Sequence, residues 1–276
     1  MLRLLFTRLR QEEKLLVEAA RRLDVPLSLE DVKDRVWGAS WAEDDVYLCR
    51  CIGHGQNLAL ARHLEGRGRR VVNAASVMEL CGDKLATTAA LEAASVPQPA
   101  YRLALSEEGA LAAVEELGYP AVLKPVTGSW GRLLAKVNDR ESAEAVIEHK
   151  AHLGAHHQIF YVQQYVEKSG FDVRAFVVGG EPIGAIRRES SHWITNTARG
   201  GRAALQPVEA DLEAILRRVH EAIGGDFLAV DLFGTESGWL VNEVNDGAEF
   251  RNSIAPTGVD IPAAVIGHCA RLERRR

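Results

Sequence analysis

Three oxygen-bearing side chains near the C-terminal end of the chain have the types and spacing of a divalent metal site. Asp231 lies within an apolar strand-like segment, and Glu243 and Asn245 lie two residues apart in a second such segment. Alternate residues of a strand face the same side, so Asp231 joins the other two if the strands pair. Two carboxylates and an amide oxygen are hard ligands that suit Mg²⁺ together with water and nucleotide phosphates. Solvent-facing acids on edge strands are the alternative, and the apolar background around them favours the metal site.

Two lysines have the type and placement expected of phosphate ligands. Lys84 lies on a predicted helix, and Lys124 ends a short apolar strand just before a glycine-containing loop. A lysine at the end of a buried strand must place its charge against a polar group, and an ammonium serves a phosphate well as a point charge. For either lysine alone, a side chain that reaches along the surface to water is an equally good explanation.

The loop that follows Lys124 joins two predicted strands. Gly128 and Gly131 allow the backbone to come close to a ligand, and clustered N–H groups bind phosphates. The loop lacks the G-K-[ST] sequence that opens a helix in a Walker A motif. A plain hairpin turn explains the glycines at least as well, so the loop indicates a phosphate site only together with the lysines.

Arginines supply the remaining candidate chemistry. Asp172 and Arg174 share one face of a predicted strand, Arg188 ends the next strand, and Arg199 lies in a loop of small residues. Guanidinium groups bind carboxylates and phosphates through paired hydrogen bonds. If the arginines converge near the metal, they are placed to hold a substrate carboxylate and the phosphoryl group in transfer. Taken singly, each is explained more simply by a surface ion pair.

The first part of the chain alternates predicted strands and helices, which indicates a small parallel α/β sheet. It contains no G-x-G-x-x-G sequence, so we do not expect a dinucleotide site there. The predicted strands are 2–6, 46–51 and 70–73, and the predicted helices are 11–24 and 57–66.

The rest of the chain predicts α+β lobes with antiparallel strands, because helices there lie among strands joined by tight turns. A helix that contains Lys84 runs to Ser95 and is stopped by the prolines that follow. Further helices open at Ser106 and Asp139, cover 211–223 and follow residue 260, and 190–205 is a polar loop. The predicted strands are 101–105, 119–125, 133–137, 159–166, 172–178, 182–188, 228–233 and 238–245.

Composition limits the classes of function. The net charge of −5 disfavours a nucleic-acid binder, and no segment approaches the roughly 20 apolar residues of a membrane span. The four cysteines fit neither a zinc site nor a disulfide framework, so we expect reduced structural thiols in a cytoplasmic protein.

The order of these motifs along residues 76–272 resembles the ATP-grasp superfamily and, within it, the RimK/LysX branch. The resemblance predicts an ATP-grasp fold of mixed α/β and α+β class with three parts. These are an N-terminal pre-ATP-grasp domain over 1–77, a central lobe with the glycine loop over 78–167, and a C-terminal lobe with the metal site over 168–276. The motifs specific to the branch are Cys81-Gly82-Asp83-Lys84, the segments 128–136 and 192–201, and Phe250-Arg251-Asn252-Ser253.

The resemblance also implies a role for each candidate residue. The nucleotide side comprises Lys84, Lys124, Gly128, Ser129, Trp130, Gly131, Arg132, Gln164, Tyr165, Val166, Glu167, Asp172, Arg174 and Asn196. The metal ligands are Asp231, Glu243 and Asn245, and the substrate side comprises Arg188, Arg199, Gly200, Asn252 and Ser253. Arg188 and Arg199 also hold the acyl phosphate, together with Lys124. Asn252-Ser253 matches the Asn-[Thr/Ser] sequence that accompanies a preference for aminoadipate over glutamate.

The reaction that the resemblance implies is an ADP-forming ligation with ATP and Mg²⁺. It joins the amine of α-aminoadipate, through an acyl phosphate, to the C-terminal glutamate of LysW, a small acidic carrier protein of lysine biosynthesis. The alternatives are glutamate as the amino acid, a RimK-like ligase that acts on a ribosomal protein, and an inactive nucleotide sensor. Asp246-Gly247-Ala248 and Glu189 depart from the branch pattern near the expected substrate pocket. The resemblance also predicts a homodimer or homotetramer and a basic groove for the carrier.

Overall fold

The computed structural model describes residues 1–38, 45–128, 133–168, 170–190, 192–195 and 202–274 of the 276-residue chain. Three sheets draw their strands from successive parts of the sequence. Among the described helices, none combines the length and the apolar character that crossing a membrane requires.

The N-terminal part forms a parallel four-stranded sheet with the order β2-β1-β3-β4. Both faces of this sheet are covered: Leu2 and Leu4 pack towards the first helix and the C-terminal helix, whereas Leu5 packs towards the helix 54–65 and Met78. Such two-sided burial is typical of parallel sheets. The elements are β1 (Leu2–Phe6), α1 (Gln11–Arg22), β2 (Leu27–Asp31), β3 (Val46–Cys49), α2 (His54–Glu65) and β4 (Arg70–Val72).

The predicted parallel α/β sheet is confirmed, but it has one strand more than the sequence analysis predicted. β2 is an edge strand that pairs only with β1, and of its five residues only Glu30 is buried. Its apolar alternation is limited to Leu27 and Leu29, which is too short to predict a strand from the sequence.

The single helix predicted around Lys84 is wrong, because the structure has two helices there. These are α3 (Ala75–Gly82) and α4 (Lys84–Ala93), and Lys84 is the first residue of α4. Asp83 separates them: its backbone is extended, and its side chain accepts a hydrogen bond from the Ala86 amide at 2.9 Å. Asp83 is therefore the N-cap of α4, and a new helix begins at Lys84.

The central part forms an antiparallel four-stranded sheet with the order β5-β8-β6-β7, as the sequence predicts. The side chain of Ser106 caps α5 by accepting from the Gly109 amide, and Asp139 caps α6 by accepting from the Ser142 amide. The elements are β5 (Tyr101–Ala104), α5 (Glu107–Leu117), β6 (Ala121–Lys124), β7 (Ala135–Val137), α6 (Arg140–Ala151) and β8 (Phe160–Gln164).

The C-terminal part forms an antiparallel five-stranded sheet with the order β11-β10-β9-β12-β13. Two elements were not predicted: the short helix α8, and β11, which begins inside the predicted polar loop 190–205. The elements are β9 (Phe171–Val178), β10 (Glu181–Glu189), β11 (Arg202–Gln206), α7 (Ala210–Ile223), β12 (Phe227–Thr235), β13 (Gly238–Asn245), α8 (Arg251–Thr257) and α9 (Ile261–Arg274).

The two faces of this sheet have different packing partners, and one of them carries the candidate polar residues. One face packs along its length against α7 through a buried cluster that includes Val173, Val230 and Leu216. At one end of the other face, Phe176 and Phe227 share a core with the N-terminal sheet and α9. Because alternate residues share a face, Asp172, Arg174 and Asp231 continue this second face towards the central lobe.

Candidate functional site

A cleft between the central and C-terminal sheets collects most of the candidate residues that the structure describes. Its floor is the polar end of the five-stranded sheet, and its opposite wall includes Val122 and Lys124 of β6 and Gln163 of β8. The candidate residues that line it are Lys124, Gln164, Tyr165, Val166, Asp172, Arg188, Asp231 and Glu243.

The two candidate carboxylates lie side by side in the sheet. Arg174 of β9 is the Cα partner of Asp231 of β12, and Asp231 is in turn the partner of Glu243 of β13. The register then shifts, so that Leu232 pairs with Val241 and Asn242 becomes the extra residue of a β-bulge. Since a bulge re-aims side chains, Asn242 and Glu243 both line the cleft although they are adjacent in sequence.

Asp231 is buried and is held by two arginines. Arg174 donates to both of its carboxylate oxygens at 2.7 Å, and Nη2 of Arg188 lies 3.2 Å from Oδ1. Burial opposes the negative charge, but the two guanidinium groups outweigh it and hold the pKa of the Asp231 carboxyl below its usual range. Asp231 is therefore ionised, and its oxygens are shared with arginine in this structure.

Arg188 also binds a second acid. Its Nε donates to Oδ1 of Asp172 at 2.6 Å, while Thr195 donates a short hydrogen bond to the other oxygen of that carboxylate. Although burial alone lowers the pKa of the Arg188 guanidinium, Asp231 and Asp172 raise it above its ordinary value. The guanidinium of Arg188 is thus engaged with protein carboxylates.

The two candidate lysines converge on the same end of the cleft. Nζ of Lys84 donates to the Gly128 carbonyl at 2.6 Å and lies 3.4 Å from the Glu243 carboxylate. Nζ of Lys124 donates to Oδ1 of Asn242 at 2.7 Å. Burial of Lys124 lowers the pKa of its ammonium to about 8, and the positive charges of neighbouring lysines add to the shift.

The cleft residues that the sequence analysis missed include two with polar or charged side chains that contact other cleft residues, Asn242 and Lys168. Nζ of Lys168 donates to Oγ1 of Thr195 at 2.9 Å and lies 5.2 Å from the centre of the Phe233 ring. Burial is the main cause that lowers the pKa of the Lys168 ammonium. Lys168 follows β8 at the crossing to the C-terminal lobe, and nothing in its sequence neighbourhood distinguishes it from a surface lysine.

The segment proposed for adenine and ribose forms one wall of the cleft. The Gln164 amide donates to the Ala100 carbonyl at 2.8 Å, which anchors the end of β8. Nζ of Lys136 lies 4.5 Å from the centre of the Tyr165 ring, and the Trp193 ring packs edge-on at 6.5 Å. Gln164, Tyr165 and Val166 line the cleft, whereas Glu167 is not among its lining residues.

The other candidates lie outside the cleft lining or outside the described residues. Asn245 does not line the cleft, and its buried Nδ2 has no hydrogen-bond partner among the described residues. Asn252 is exposed and Ser253 is buried on α8, which packs against β10 and β11. Seven candidates lie outside the described residues: Ser129, Trp130, Gly131, Arg132, Asn196, Arg199 and Gly200.

The donor set fits a hard divalent cation at the Glu243 end of the cleft. Among the described residues, no three His, Cys, Asp or Glu side chains are grouped as a metal site, so amide oxygens, water or nucleotide phosphates must complete the coordination. Glu243 has a lysine as its only ion-pair partner among the described residues. The buried side-chain amide of Asn245 has one atom, Nδ2, without a hydrogen-bond partner among the described residues. A half-turn of the amide group exchanges the positions of its nitrogen and oxygen.

Comparison with protein families divides the chain into two matched regions. A model described as a LysX preATP-grasp domain matches residues 2–80, and a model described as a RimK-like ATP-grasp domain matches residues 81–268.

Individual relatives match over nearly the full length of the chain. Alpha-aminoadipate--LysW ligase LysX of Sulfolobus acidocaldarius is 32% identical over 267 residues, which cover 94% of this chain and 97% of the relative. Glutamate--LysW ligase ArgX of the same organism is 30% identical over 265 residues, covering 94% of each chain. The crystal structure of a RimK domain ATP-grasp protein from Sphaerobacter thermophilus superposes with a TM-score of 0.79 at 30% identity, covering 97% of this chain and 99% of that one.

Proposed function

Because this chain belongs to the RimK-like ATP-grasp family of ligases, we propose that it joins α-aminoadipate to a LysW-type carrier protein. In this reaction the γ-carboxylate of the carrier's C-terminal glutamate is activated by ATP as an acyl phosphate. The α-amine of α-aminoadipate then displaces phosphate and forms an amide. The relatives named as LysX and ArgX support the carrier as the partner, and those named as LysX support the amino acid.

The observation that carries this proposal is the meeting of lysines and carboxylates in one cleft. Lys84, Lys124 and Lys168 bring ammonium groups to the end of the cleft where Asp231 and Glu243 lie. A triphosphate needs cations of this kind around it, and Mg²⁺ held by Glu243 and Asn245, with Asp231 beside them, would neutralise the remaining phosphate charge. This arrangement suits transfer of a phosphoryl group to a carboxylate.

In this proposal the protein side chains position the nucleotide and stabilise the negative charge of its phosphates. Lys124 and Lys84 hold phosphate oxygens, and the segment around Tyr165 holds the base and ribose. Arg174 and Arg188 place positive charge at the floor of the cleft while Asp231 and Asp172 fix their orientation. No side-chain nucleophile is needed, because the carrier's carboxylate attacks the γ-phosphate directly and preorganised charges stabilise the transition state.

A ligation assay tests the proposal. The purified chain is incubated with carrier protein, ATP, Mg²⁺ and L-2-aminoadipate, and the carrier is read by intact mass. We expect the carrier to gain the mass of one aminoadipate residue, with release of ADP and phosphate only when all substrates are present. Formation of AMP and pyrophosphate, or an unmodified carrier with every candidate amino acid, contradicts the acyl-phosphate route.

Glutamate is the second candidate substrate. Relatives named as glutamate--LysW ligases match the chain at 30% identity over 93% or more of its length, close to the match with the aminoadipate enzymes. Glutamate differs from aminoadipate by one methylene, which is worth only about 1–3 kcal/mol of discrimination in a pocket. Competition between the two amino acids at equal concentration, read from the mass of the modified carrier, decides between them.

A further inference from the structure

The central sheet has one open edge, and that edge belongs to β5. In the strand order β5-β8-β6-β7, β5 is the outermost strand, and among the described strands only β8 pairs with it. The outer edge of such a strand presents backbone N–H and C=O groups that pair readily with a further strand. β5 is therefore a place where another chain can extend the sheet.

The hydrogen bonds of β5 show which residues face this open edge. The Gln164 amide donates to the Ala100 carbonyl at 2.8 Å, so Ala100 turns its backbone groups towards β8. Successive residues of an antiparallel strand alternate between the partner strand and the opposite edge. Nη1 of Arg102 donates to the Tyr101 carbonyl at 2.8 Å, in agreement with a carbonyl that lies outside the ladder. The residues whose backbone groups face the open edge are then Tyr101, Leu103 and the following Leu105.

Apolar side chains beside the same edge are exposed to solvent. Leu103 is 44% exposed and Leu105 is 72% exposed, and Ile159, which directly precedes β8, is 36% exposed. Alternation places Leu103 and Leu105 on the face opposite Ala104, which packs in the core beneath α5. A contiguous row of exposed apolar side chains is typical of a surface that contacts another molecule.

A groove continues this apolar surface at the start of β5. It has a volume of about 600 Å³, and its lining includes Pro97, Pro99, Tyr101 and Leu103. The Tyr101 hydroxyl donates to the carboxylate of Glu92 at 2.7 Å, which places the tyrosine ring on the α4 side of the sheet. Tyr101 and Leu103 share one face of the strand, so the groove opens beside the exposed leucines.

We propose that this edge is the interface between two copies of the chain, whose β5 strands pair antiparallel about a two-fold axis at Leu103. The two Leu103 residues then lie opposite one another, and Tyr101 lies opposite Leu105 of the second copy. This register joins the outward-facing backbone groups of both strands, because all three residues alternate in phase. The two four-stranded central sheets become one continuous antiparallel sheet.

A second copy suits this surface because the surface is complementary to itself. Each copy offers an exposed Leu105 and an apolar groove beside Tyr101, and a two-fold axis makes both contacts at once. Pro97 and Pro99 limit the pairing to the residues that follow them, since proline cannot donate to a ladder. The interface is thus short in main-chain contacts and depends on the leucines and the groove.

The charges beside the edge also fit a second copy. Arg102 is the only charged residue of β5, and its Nε donates to Glu116 of α5 at 2.9 Å, on the face away from the leucines. In the proposed register Arg102 lies opposite Ala104 of the second copy, close to the acidic first turn of its α5, which contains Glu107 and Glu108. Leucines lie at the axis itself, so like charges do not meet there.

Sedimentation velocity of the purified chain tests the interface. At micromolar concentration we expect a particle of twice the chain mass of 30.2 kDa, or a tetramer built from two such dimers. Leu103→Lys places two ammonium groups opposite one another and should raise the dissociation constant of this contact at least about 100-fold. The dimer should then become a monomer, and a tetramer should fall to half its mass.

Leu153→Lys is the matched control. Leu153 is 42% exposed and lies after α6 in the same lobe, outside β5 and outside the groove lining. This variant should keep the wild-type mass. Both lysine variants should keep the melting temperature that the wild-type chain has when diluted to the monomer, which separates loss of the contact from loss of the fold.

Cross-linking tests the register. In a hydrogen-bonded antiparallel pair the Cα atoms are about 5.5 Å apart, which a disulfide can span. Leu103→Cys should therefore form a covalent dimer under mild oxidation. Arg102→Cys should not, because its counterpart in the second copy lies opposite Ala104. Cross-linking of Arg102→Cys in place of Leu103→Cys would contradict the proposed register.

Three further results would overturn the interface. One is a monomeric wild-type chain at micromolar concentration, and another is an oligomer whose dissociation constant is the same in Leu103→Lys. The third is a monomeric chain in which Leu103→Lys raises the KM for the carrier protein, because the edge then binds the carrier. The inference does not rest on the ligase reaction, since the mass is measured without substrates; a dimer that performs no ligation contradicts the proposed function alone.

Discussion

Asp231 and Glu243 are neighbours across a pair of strands, yet their surroundings differ. Asp231 is buried and bound by two arginines, whereas the side chain of Glu243 is 28% exposed and lies 3.4 Å from a single lysine. A buried ion pair stabilises the fold mainly by avoiding an unpaired charge, and a partly exposed pair contributes little. At the residue scale, we therefore expect Asp231 to serve both fold and site, and Glu243 to serve the site.

Substitution of the two acids should separate these roles. Asp231→Asn leaves two guanidinium groups beside a neutral amide and should lower the free energy of unfolding by about 3–5 kcal/mol, measured by urea denaturation. Glu243→Gln should change that free energy little but abolish Mg²⁺-dependent formation of ADP. Equal loss of stability in both variants, or full activity in Glu243→Gln, contradicts this division.

The lowered pKa of the Lys124 ammonium predicts that nucleotide binding depends on pH. Burial lowers the pKa of its ammonium to about 8, so the side chain is charged below that pH and becomes neutral above it. We expect the affinity of the free enzyme for ATP, measured by calorimetry, to fall as the pH rises through about 8. Lys124→Met should bind ATP weakly at every pH and lack this fall. A fall of the same size in Lys124→Met would assign the dependence to another group.

At the element scale, the β-bulge of β13 decides which side chains enter the cleft. Strict alternation places Glu243 on one face and Asn242 on the other, but the register shift beside Asp231 turns both towards the cleft. Asn242 then accepts the hydrogen bond of Lys124 and links the two lobes across the cleft. The bulge therefore connects the central sheet to the carboxylates.

The turn between α7 and β12 also constrains the elements that it joins. Gly225 has φ +101°, and a Cβ there would lie 2.9 Å from Cδ2 of Leu228 and 3.1 Å from Cγ1 of Val77. We expect Gly225→Ala to destabilise the protein by about 1–3 kcal/mol, because the backbone strain and the contact act together. Gly55→Ala, on α2 with open space around its Cβ, is the control and should be neutral or slightly stabilising in thermal unfolding.

At the scale of the whole molecule, the N-terminal domain and the C-terminal lobe are one packed unit. Residues of β1 and α1 share a hydrophobic core with Phe176, Phe250 and α9. Asn73, after β4, adds a polar link: its Oδ1 accepts from the Asp226 and Phe227 amides, and its Nδ2 donates to the Phe227 and Asp246 carbonyls at 2.7 Å. This contact holds the start of β12 and the end of β13 in fixed positions.

Asn73→Ala should therefore have a large effect for a single residue. It leaves buried backbone groups without partners, and we expect a loss of roughly 2–4 kcal/mol in the free energy of unfolding, measured in urea. Arg62→Ala removes an exposed ion pair between α2 and α3 and is the control, for which we expect little change. Equal effects of the two substitutions would show that the link does not hold the lobes together.

The fold class and the order of most elements follow from local features of the sequence. Apolar alternation, helix caps such as Ser106 and the paired segments around Asp231 and Glu243 are local signals, and local periodicity records which face of an element is buried. The motifs around Lys84 and Lys124 likewise indicate the ligase family without coordinates, because each lies within a short stretch of chain.

The way in which these residues share their charges follows from packing between distant parts of the chain. Arg188 is bound by Asp172 and Asp231, and Asn242 and Lys168 enter the cleft; each of these contacts joins residues from different elements. Strand register and a bulge fix those contacts. They depend on the packing of the whole chain, so no local pattern of residues records them.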